Sequence, residues 1–292
     1  MTGEPLPFLL KGLTPELEEK AFRELGETPQ VKRNALEELK RLIRKQSNFE
    51  PYMEDIFLLS FLRWKKYDAK KAFQALYNFY SLKEKHSGVF LDRKPSELTH
   101  VLEMNYLTVT RLRDPDGCNV GILRIGFHDF KVATVEEIIA AILCMSLVTS
   151  DIEAYQVSGV VSVFDCKNMS YDMAKTIFKP HRIVFITAVL RCLPCRIKSV
   201  HVVNLPHYYG IFFNLIKIFV PQKILKRFHL HTSDWTEFHK HVPPEVLPEE
   251  LGGTLGPINN EEYIKFFLSK QNYVEQINNG GIKVKPCDKM LC

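Results

Sequence analysis

The chain has 292 residues, of which 46% are hydrophobic and 25% charged, a composition that excludes a disordered chain and predicts one large or two modest globular domains. Its formal net charge of +5 is too small for a dedicated nucleic-acid-binding protein. The N-terminal segment lacks the pattern of a secretory signal, and the longest apolar runs are too short or too charged to cross a bilayer. We therefore expect a soluble, cytoplasmic protein.

The seven cysteines are spread along the chain and are odd in number, which favours reduced thiols over a disulfide framework. Cys192 and Cys195 have the spacing of a redox motif or of half a zinc site. One such pair without a second is weak evidence, so we expect neither a redox centre nor a zinc site.

The first part of the chain is predicted to be helical. Thr14 and Pro15 supply an N-cap and a first-turn proline, and Phe73, Leu76 and Tyr80 recur at helical spacing. We interpret residues 1–95 as a helical subdomain with an aromatic core. The predicted helices run from Thr14 to Leu25, Val31 to Gln46, Asp55 to Trp64 and Ala69 to His86.

After Pro95, β-rich segments alternate with helical ones, and Thr134 with Glu137 forms a capping box that opens a long helix. Strands separated by helices favour a largely parallel sheet with helical cover. We therefore predict an α/β domain over residues 96–275 and a tail over 276–292 that is loosely ordered from Asn278. The predicted strands are Tyr106–Leu112, Val120–Ile125, Val157–Asp165, Ser199–Val203 and Phe228–His231, and the predicted helices are Thr134–Leu147, Tyr171–Lys179, His181–Leu193, Tyr208–Val220 and, last, Asn260–Gln271.

The segment from Pro206 to Pro221 predicts a helix with more apolar surface than one core contact requires. At about 100° per residue, Gly210, Asn214 and Lys217 fall in one narrow wedge, and apolar side chains cover roughly 220°. Such a helix either is fully buried or has two apolar faces, one towards a hydrophobic interior and one towards a bilayer.

The sequence contains none of the common catalytic motifs, whether a nucleophile elbow, a phosphate loop, a dinucleotide-binding glycine pattern or a zinc-protease helix. His229 and His231, with His239 and His241, could ligate a metal, but alternating histidines near a strand end more often form a polar surface. Asp165, at a strand end, more often caps the following turn than acts in catalysis. We expect neither an enzyme nor a metal site nor a cofactor.

Basic residues stand on both sides of this apolar helix. Arg196 and Lys198 precede the strand that leads into it, and Lys223, Lys226 and Arg227 follow it. Cations beside an apolar face suit an anionic membrane surface or a phosphorylated headgroup. The alternative is an ordinary solvated rim. Together with a hydrophobic interior, the first interpretation predicts a lipid carrier.

Four segments in order along the chain form a pattern more specific than any one of them: FLRWKKYDAKKAF (61–73), GVVSVFD (159–165), the run from Val200 to His231, and LPEELGG (247–253). Together they resemble the CRAL-TRIO lipid-binding family, most closely its tocopherol-transfer and retinaldehyde-binding branch, over about residues 10–275. The resemblance implies an N-terminal helical bundle and an α/β domain whose sheet floors a deep hydrophobic pocket. It also implies a mobile lid, which by motif position is the Pro206–Pro221 helix.

The resemblance further implies a cationic cleft that binds phosphoinositide headgroups. Lysine replaces the tocopherol carrier's arginine at positions 65 and 198, and arginine replaces its lysine at 196. Lysine keeps the charge but loses bidentate geometry, so the resemblance does not fix which headgroup is preferred. The family's basic positions fall on Lys65, Arg196, Lys198, Lys223 and Arg227.

The family's pocket positions are nearly all apolar or small in this chain. Val160, Ser162 and Phe164 alternate as one face of a strand should. Leu123 stands where the family has a tyrosine, so one polar pocket contact is lost and the ligand need not be tocopherol. The pocket positions are Ile139, Ser146, Val160, Ser162, Phe164, Phe185, Ala188, Val189, Leu193, Tyr209, Phe212 and Leu215.

We therefore expect a lipid-transfer protein that encloses one small hydrophobic molecule of isoprenoid type and works as a monomer, peripherally on intracellular membranes that contain phosphoinositides. Tyr208, Phe212 and Leu215 are expected to face the membrane when the lid opens. The alternatives are a phosphatidylinositol or phospholipid exchange protein, which would need polar groups in the pocket, a phosphoinositide-sensing interaction module, and an enzyme that acts on a bound lipid.

Overall fold

The computed structural model describes residues 12–86, 88, 93–231 and 235–283. Its first part is helical, as predicted, and side-chain caps start three of the helices. Thr14, Thr28 and Asp68 accept hydrogen bonds from the backbone N–H groups three residues on, at 3.4, 3.1 and 3.0 Å. The helices are α1 (Pro15–Leu25), α2 (Pro29–Arg44), α3 (Asp55–Trp64) and α4 (Ala69–Lys85).

Five strands form one mixed sheet, and two short strands pair separately. In the sheet the strands follow chain order, and only its first pair is antiparallel. This confirms the predicted α/β class with a mostly parallel sheet. The strands are β1 (Phe49–Glu50), β2 (Leu107–Val109), β3 (Asn119–Arg124), β4 (Val160–Asp165), β5 (Ile197–Val203), β6 (Phe228–Leu230) and β7 (Gly281–Ile282), with β1 paired to β7.

Most of the remaining helices connect the strands of the sheet, and α12 to α14 follow its last strand. The Thr134–Glu137 capping box is present, with the Glu137 N–H donating to Thr134 Oγ1 at 3.2 Å and the Thr134 N–H donating to Glu137 Oε2 at 2.9 Å. The helices are α5 (Thr99–Glu103), α6 (Val135–Thr149), α7 (Glu153–Ser158), α8 (Tyr171–Ile177), α9 (Pro180–Leu190), α10 (Tyr209–Phe219), α11 (Gln222–Leu225), α12 (Trp235–His239), α13 (Glu261–Ser269) and α14 (Gln271–Asn279).

The strand order fixes which side of the sheet the helices cover. Successive parallel strands joined by crossovers of the same hand place their connecting helices on one side. We call that side of β3–β6 the front face; Val200, Val202 and Phe228 lie on it and pack towards α8 and α10. The back face is covered by the chain after β6, where residues 238–251 bury Val161 and Val163.

One predicted strand began too early. Val157 belongs to α7, and the strand starts only at Val160. Gly159 separates the two elements with φ of 87°, and an added Cβ there would overlap the backbone carbonyl of Arg196. The apolar Val157 is nevertheless fully buried, against Ala21 and Leu25 of α1, so the hydrophobic run had a helical partner rather than a strand neighbour.

The end of the chain is more ordered than predicted. The helix expected at Asn260–Gln271 is followed by a further helix, α14, whose Ile277 is fully buried. Gly281 and Ile282 then pair with Glu50 and Phe49 as an antiparallel ladder, so the predicted loose tail is wrong for residues 278–283. The remainder of that prediction lies outside the described residues, and the domain boundaries at 95 and 275 stay predictions.

A fully buried arginine joins the helical part to the α/β part. Arg63 of α3 donates from Nε and Nη2 to Glu27 at 2.9 and 2.7 Å, and from Nη1 to Gln156 of α7 at 2.8 Å. Glu153, also of α7, lies 3.2 Å from Nη2. Burial opposes the charge of Arg63, but the bonds to Glu27 outweigh it and raise the pKa of the guanidinium.

Replacing Arg63 by alanine is expected to destabilise the protein by about 3–5 kcal/mol, because Glu27 would be left largely buried without its partner. Urea unfolding would measure the change. Arg33 on α2 is exposed, and Arg33→Ala is the matched control. Its free energy of unfolding should stay within about 0.5 kcal/mol of that of the wild type. If Arg63→Ala lowered the free energy of unfolding by less than about 1 kcal/mol, the network would not be a main link between the two parts of the chain.

Candidate functional site

The two faces of the central strand β4 differ in burial. Val161, Val163 and Asp165 face the back layer and are 4%, 1% and 0% exposed, whereas Val160, Ser162 and Phe164 on the front face are only half-buried. A central strand covered on both sides keeps accessible surface only where the covering layer leaves room. We call the space in front of these residues the front chamber, and it is the candidate ligand site.

The front face is stepped. Gly121 of β3 pairs in register with Ser162, and Leu123 pairs with Phe164. A Cβ added at Gly121 would meet only Val160 Cγ2, at 3.7 Å. The front face is therefore deeper at Gly121 and Ser162, whose side chains are small or absent, than at Leu123 and Phe164. None of these four residues is charged.

The predicted pocket residues come from all the elements around this chamber, but they do not form one cluster. Phe164 of β4 packs with Tyr209 and Phe212 of α10. Val160 packs with residues of α5, α6 and α13. A third group, from α6, α9 and the turn after it, packs against the N-terminal helices and comprises Ile139, Phe185, Val189 and Leu193. The remaining four, Ser146, Ser162, Ala188 and Leu215, are half-buried.

Polar groups are scarce among the predicted pocket residues. The Ser146 hydroxyl donates to the backbone carbonyl of Ile142 within α6 at 2.9 Å, so its hydrogen is already used. Ser162 and Tyr209 are the other polar members of the predicted pocket. Burial raises the pKa of the Tyr209 phenol, which keeps it neutral. The chamber is therefore suited to an apolar molecule.

The predicted lid helix is α10, and aromatic contacts hold it over the front face. Phe212 is 7% exposed, with its ring centroid 5.6 Å from that of Phe178 and 5.7 Å from that of Tyr171. Tyr208, at the N-cap of α10, donates its hydroxyl hydrogen to the backbone carbonyl of Met169. The helix α10 is thus fastened at its N-terminal end to the loop that follows β4.

The exposed face of α10 is formed by residues other than those predicted to meet the membrane. Phe212 was expected to line the pocket and to face the membrane once the helix opens; in the structure it points inward, and its membrane contact stays a prediction. Ile211 and Ile218, which the sequence did not single out, are 61% and 73% exposed. Tyr208 and Leu215 are half-buried, and their membrane contact stays a prediction.

Lys217 lies on the exposed stripe of the lid. Its Nζ is 4.5 Å from the centroid of the Phe213 ring, a cation–π contact within α10. Phe213 in turn stacks on Tyr209 at 5.3 Å and contacts Phe228 of β6 at 6.0 Å. The lysine therefore covers the outer side of an aromatic stack that joins the lid to the sheet.

Two of the predicted headgroup-binding residues have an acidic partner. Glu24 of α1 accepts hydrogen bonds on one oxygen, Oε2, from Arg196 Nη2 and Lys198 Nζ, both at 2.7 Å. Burial would raise the pKa of Glu24, but the bonds to Lys198 and Arg196 outweigh it and hold that pKa at about 2. One carboxylate thus already pairs with both of these cations, Arg196 just before β5 and Lys198 within it.

The other three predicted basic residues lie at the turn after α3 and around α11. Lys65 is placed by a turn in which Lys66 and Tyr67 have positive φ of 51° and 61°, and its Nζ lies 3.3 Å from the centroid of the Trp64 ring. Burial and then the charge of Lys223 lower the pKa of Lys65, so these two cations are neighbours. Arg227 donates to the backbone carbonyl of Ile197 at the start of β5.

Sequence reasoning missed Glu24 and the outward isoleucines for different reasons. Glu24 contacts residues about 170 positions away, and no local pattern marks a partner that far along the chain. The isoleucines could have been found, because Ile211 and Ile218 are seven positions apart and adjoin Gly210 and Lys217, the residues of the polar wedge.

The histidines form a stack on the back face rather than near the chamber. His201 Nδ1 and His231 Nε2 lie 3.0 Å apart, and the rings of His229 and His241 complete the group. Burial and then the neighbouring histidines lower the pKa of His201 to about 3, which keeps it neutral. In the described ranges, no group of three or more candidate ligands could hold a metal ion.

The contacts of Asp165, Cys192 and Cys195 fit structural roles rather than catalysis or metal binding. Asp165 Oδ1 accepts from the Lys167 N–H at 2.9 Å and from Asn204 Nδ2 at 2.7 Å, which is the capping contact expected from its position at a strand end. Burial raises the pKa of Cys192 to about 12 and that of Cys195 to about 11, so both thiols are protonated. Cys287 and Cys292 lie outside the described residues.

Within residues 12–86, 88, 93–231 and 235–283, no helix is both long enough and apolar enough to span a membrane.

Known proteins are similar to this chain over most of its length. A human protein named alpha-tocopherol transfer protein-like is 34% identical, with the match covering 98% of this chain and 83% of the relative; its mouse counterpart is 32% identical over the same shares. Clavesin-1 of Pongo abelii is 29% identical over 89% of this chain and 74% of its own. The solved structure of Sfh5 matches 90% of this chain and 99% of its own, with 15% identity and a TM-score of 0.47, too weak a likeness to support an inference.

The domain match falls on the sheet and the lid. Residues 103–253, just over half of the chain, match the CRAL/TRIO domain. This range includes β2 to β6, the helices α6 to α12 and the LPEELGG motif. The chain belongs to the CRAL/TRIO family of lipid-binding and lipid-transfer proteins, near its tocopherol-transfer branch.

Proposed function

We propose that this protein carries one small hydrophobic molecule in the front chamber and transfers it between membranes. The observation that carries the proposal is the accessible front face of β4, where Val160, Ser162 and Phe164 keep open surface although the strand is central. The scarcity of polar groups favours an isoprenoid-like cargo, such as a tocopherol, a retinoid, a carotenoid or a sterol-like compound. The names of the tocopherol-transfer-like relatives support the same class.

Such a cargo needs no covalent step, so the proposal includes no enzyme activity and no cofactor. Burial of apolar surface contributes about 25 cal/mol per Å², which can hold a ligand of this size tightly. Tight burial also makes release slow unless the chamber opens. The lid α10 is the element that must move, and its movement would break the Phe212 contacts and the Tyr208 hydrogen bond to Met169.

Docking on a phosphoinositide-containing membrane is proposed as the trigger for opening. Ile211 and Ile218 already expose apolar surface on the lid, and Tyr208 and Leu215 would join them in the interface after opening. The headgroup would be held by the predicted cations of β5, α3 and α11. The protein would then act as a monomer, peripherally on intracellular membranes.

Glu24 gives this trigger a built-in competitor. Its carboxylate uses the same two donors, Arg196 and Lys198, that a phosphate would use. A headgroup phosphate brings more negative charge than one carboxylate and can displace it, which would loosen α1 from β5.

Exchange of phospholipids is the less favoured alternative. A phospholipid cargo would have to bury its polar headgroup in the chamber, where, of the polar predicted pocket residues, Ser146 is already bonded through its hydroxyl and only Ser162 and Tyr209 remain. Phospholipid recovered from the purified protein by native mass spectrometry would reverse this preference.

Replacing Ser162 by phenylalanine is expected to lower the affinity for a fluorescent tocopherol analogue by about tenfold or more while the protein stays folded, because the new ring fills the chamber instead of displacing packed atoms. Ligand titration and urea unfolding would measure the two effects.

Val163→Phe on the back face is the matched control. Val163 is 1% exposed, so the same ring there should cost about 1–3 kcal/mol of stability. Equal destabilisation by the two substitutions would mean that no chamber lies in front of β4.

Replacing Lys223 and Arg227 together by alanine is expected to slow transfer of the same analogue between phosphoinositide-containing vesicles by about tenfold or more, since each cation near an anionic surface contributes about 1 kcal/mol. A fluorescence-quenching transfer assay would measure the rate. The exposed pair Arg33→Ala with Lys265→Ala removes equal charge and should change the rate by less than about twofold.

Glu24→Gln is expected to have the opposite effect. Its binding to phosphoinositide-containing vesicles should be tighter than that of the wild type, because the competing charge is lost while the helix remains. Transfer rates unchanged by the Lys223 and Arg227 substitutions would refute the proposed trigger. Weaker binding of Glu24→Gln would refute only the competition.

A further inference from the structure

A second cleft lies between α4, α9 and the last turn of α10, and of the predicted pocket residues only Ala188 lines it. Its volume is about 490 Å³, within the usual range for small-ligand sites. Three helices contribute to it, and the residues on which the argument depends are Ser81, Lys85, Val184, Thr187, Arg191 and Ile218.

The charged residues that line this cleft are cationic. Lys85 of α4 and Arg191, at the C-cap of α9, line it from opposite elements, and its described lining residues include neither aspartate nor glutamate. Both cations are exposed, and neither forms an ion pair with another described residue. Two unpaired cations that line one cleft favour an anion.

A buried hydroxyl adds a hydrogen-bond donor. Thr187 lines the cleft and is 6% exposed, yet its Oγ1 has no hydrogen-bond partner among the described residues. A buried hydroxyl without a partner is costly and rare, so a bound acceptor would relieve it. Ser81 supplies another hydroxyl on the facing helix.

The rim of the cleft is apolar and exposed. Val184 is 49% exposed and Ile218 is 73% exposed, and Ile218 belongs to the lid. Cations beside exposed apolar side chains match the boundary between the headgroups and acyl chains of a bilayer better than they match water. The anion is therefore expected to come from a lipid rather than from solution.

We propose that this cleft binds the phosphate of an anionic glycerophospholipid, such as phosphatidylserine, in the membrane on which the lid docks. The site uses none of the five basic residues assigned to the phosphoinositide headgroup. The two sites adjoin, because Cys192 lines the cleft and Lys65 lies near enough for its charge to oppose the rise in the pKa of the Cys192 thiol that burial causes. The inference rests on the proposed function only in requiring that the lid face a membrane.

Occupancy of the cleft would bear on the lid directly. Ile218 and Phe219 are the final residues of α10 and line the cleft, so a lipid seated there contacts the end of the lid opposite to Tyr208. The lid would then have its N-terminal end bonded to the loop after β4 and its C-terminal end resting on a membrane lipid. Anionic lipid would thus set the orientation from which the lid opens.

Vesicle binding tests the site with two kinds of variant. Lys85→Gln with Arg191→Gln is expected to lower the affinity for phosphatidylcholine vesicles containing phosphatidylserine by about tenfold, and the matched pair Arg33→Gln with Lys265→Gln by less than about twofold. Thr187→Val changes no charge and should lower the same affinity severalfold without loss of stability, since the hydroxyl it removes has no partner. Equal effects of the two charge pairs, or no effect of Thr187→Val, would overturn the proposal.

The source of the phosphate is tested with soluble glycerol phosphate. We expect no saturable binding by calorimetry, and saturable binding that is lost in Thr187→Val would overturn the lipid source in favour of free phosphate. The variant with Lys223→Ala and Arg227→Ala should keep its dependence on phosphatidylserine even where it loses its dependence on phosphoinositide. This separates failure of the cleft from failure of the proposed trigger.

Discussion

The buried charge of Arg63 determines how the two parts of this molecule are held together. Its guanidinium bonds to Glu27, before α2, and to Gln156 in α7, and Gln156 continues to the backbone carbonyls of Ile56 and Ser150 at 2.9 and 2.7 Å. These bonds tie α3 and the connection between α1 and α2 to the segment that leads into β4. Because a buried ion pair tolerates little displacement, the network fixes the position of α1 and with it the carboxylate of Glu24 beside β5.

The order of the strands concentrates the functional elements on one side. Since β3 to β6 run in chain order with like-handed crossovers, the helices α6, α8, α9 and α10 all fall in front of the sheet. The back face is closed by residues 238–251 and by a stack of neutral histidines. A chamber can form only in front, where helices can shift against the sheet without breaking its hydrogen bonds.

Local signals in the sequence predicted most elements, and long-range contacts explain what they could not predict. Thr14 and the Thr134–Glu137 box mark helix starts correctly because capping involves residues three apart. Val157 was assigned to a strand because its apolar neighbours fit either a helix or a strand, and only contact with α1 decides between them. In the same way, the helix wheel identified α10 as doubly apolar but could not tell that Phe212 faces inward while Ile218 faces out.

The stepped front face has a consequence for how ligand choice can evolve. Gly121 and Ser162 lie side by side at the recessed level, and a methyl group added at Gly121 would make only one ordinary contact, with Val160. Neither position supports the packing of the back layer, so larger side chains there alter the depth of the chamber with little effect on folding. Relatives of this protein could therefore acquire shorter or bulkier cargoes through one or two substitutions while the sheet, the lid and the charged surface stay as they are.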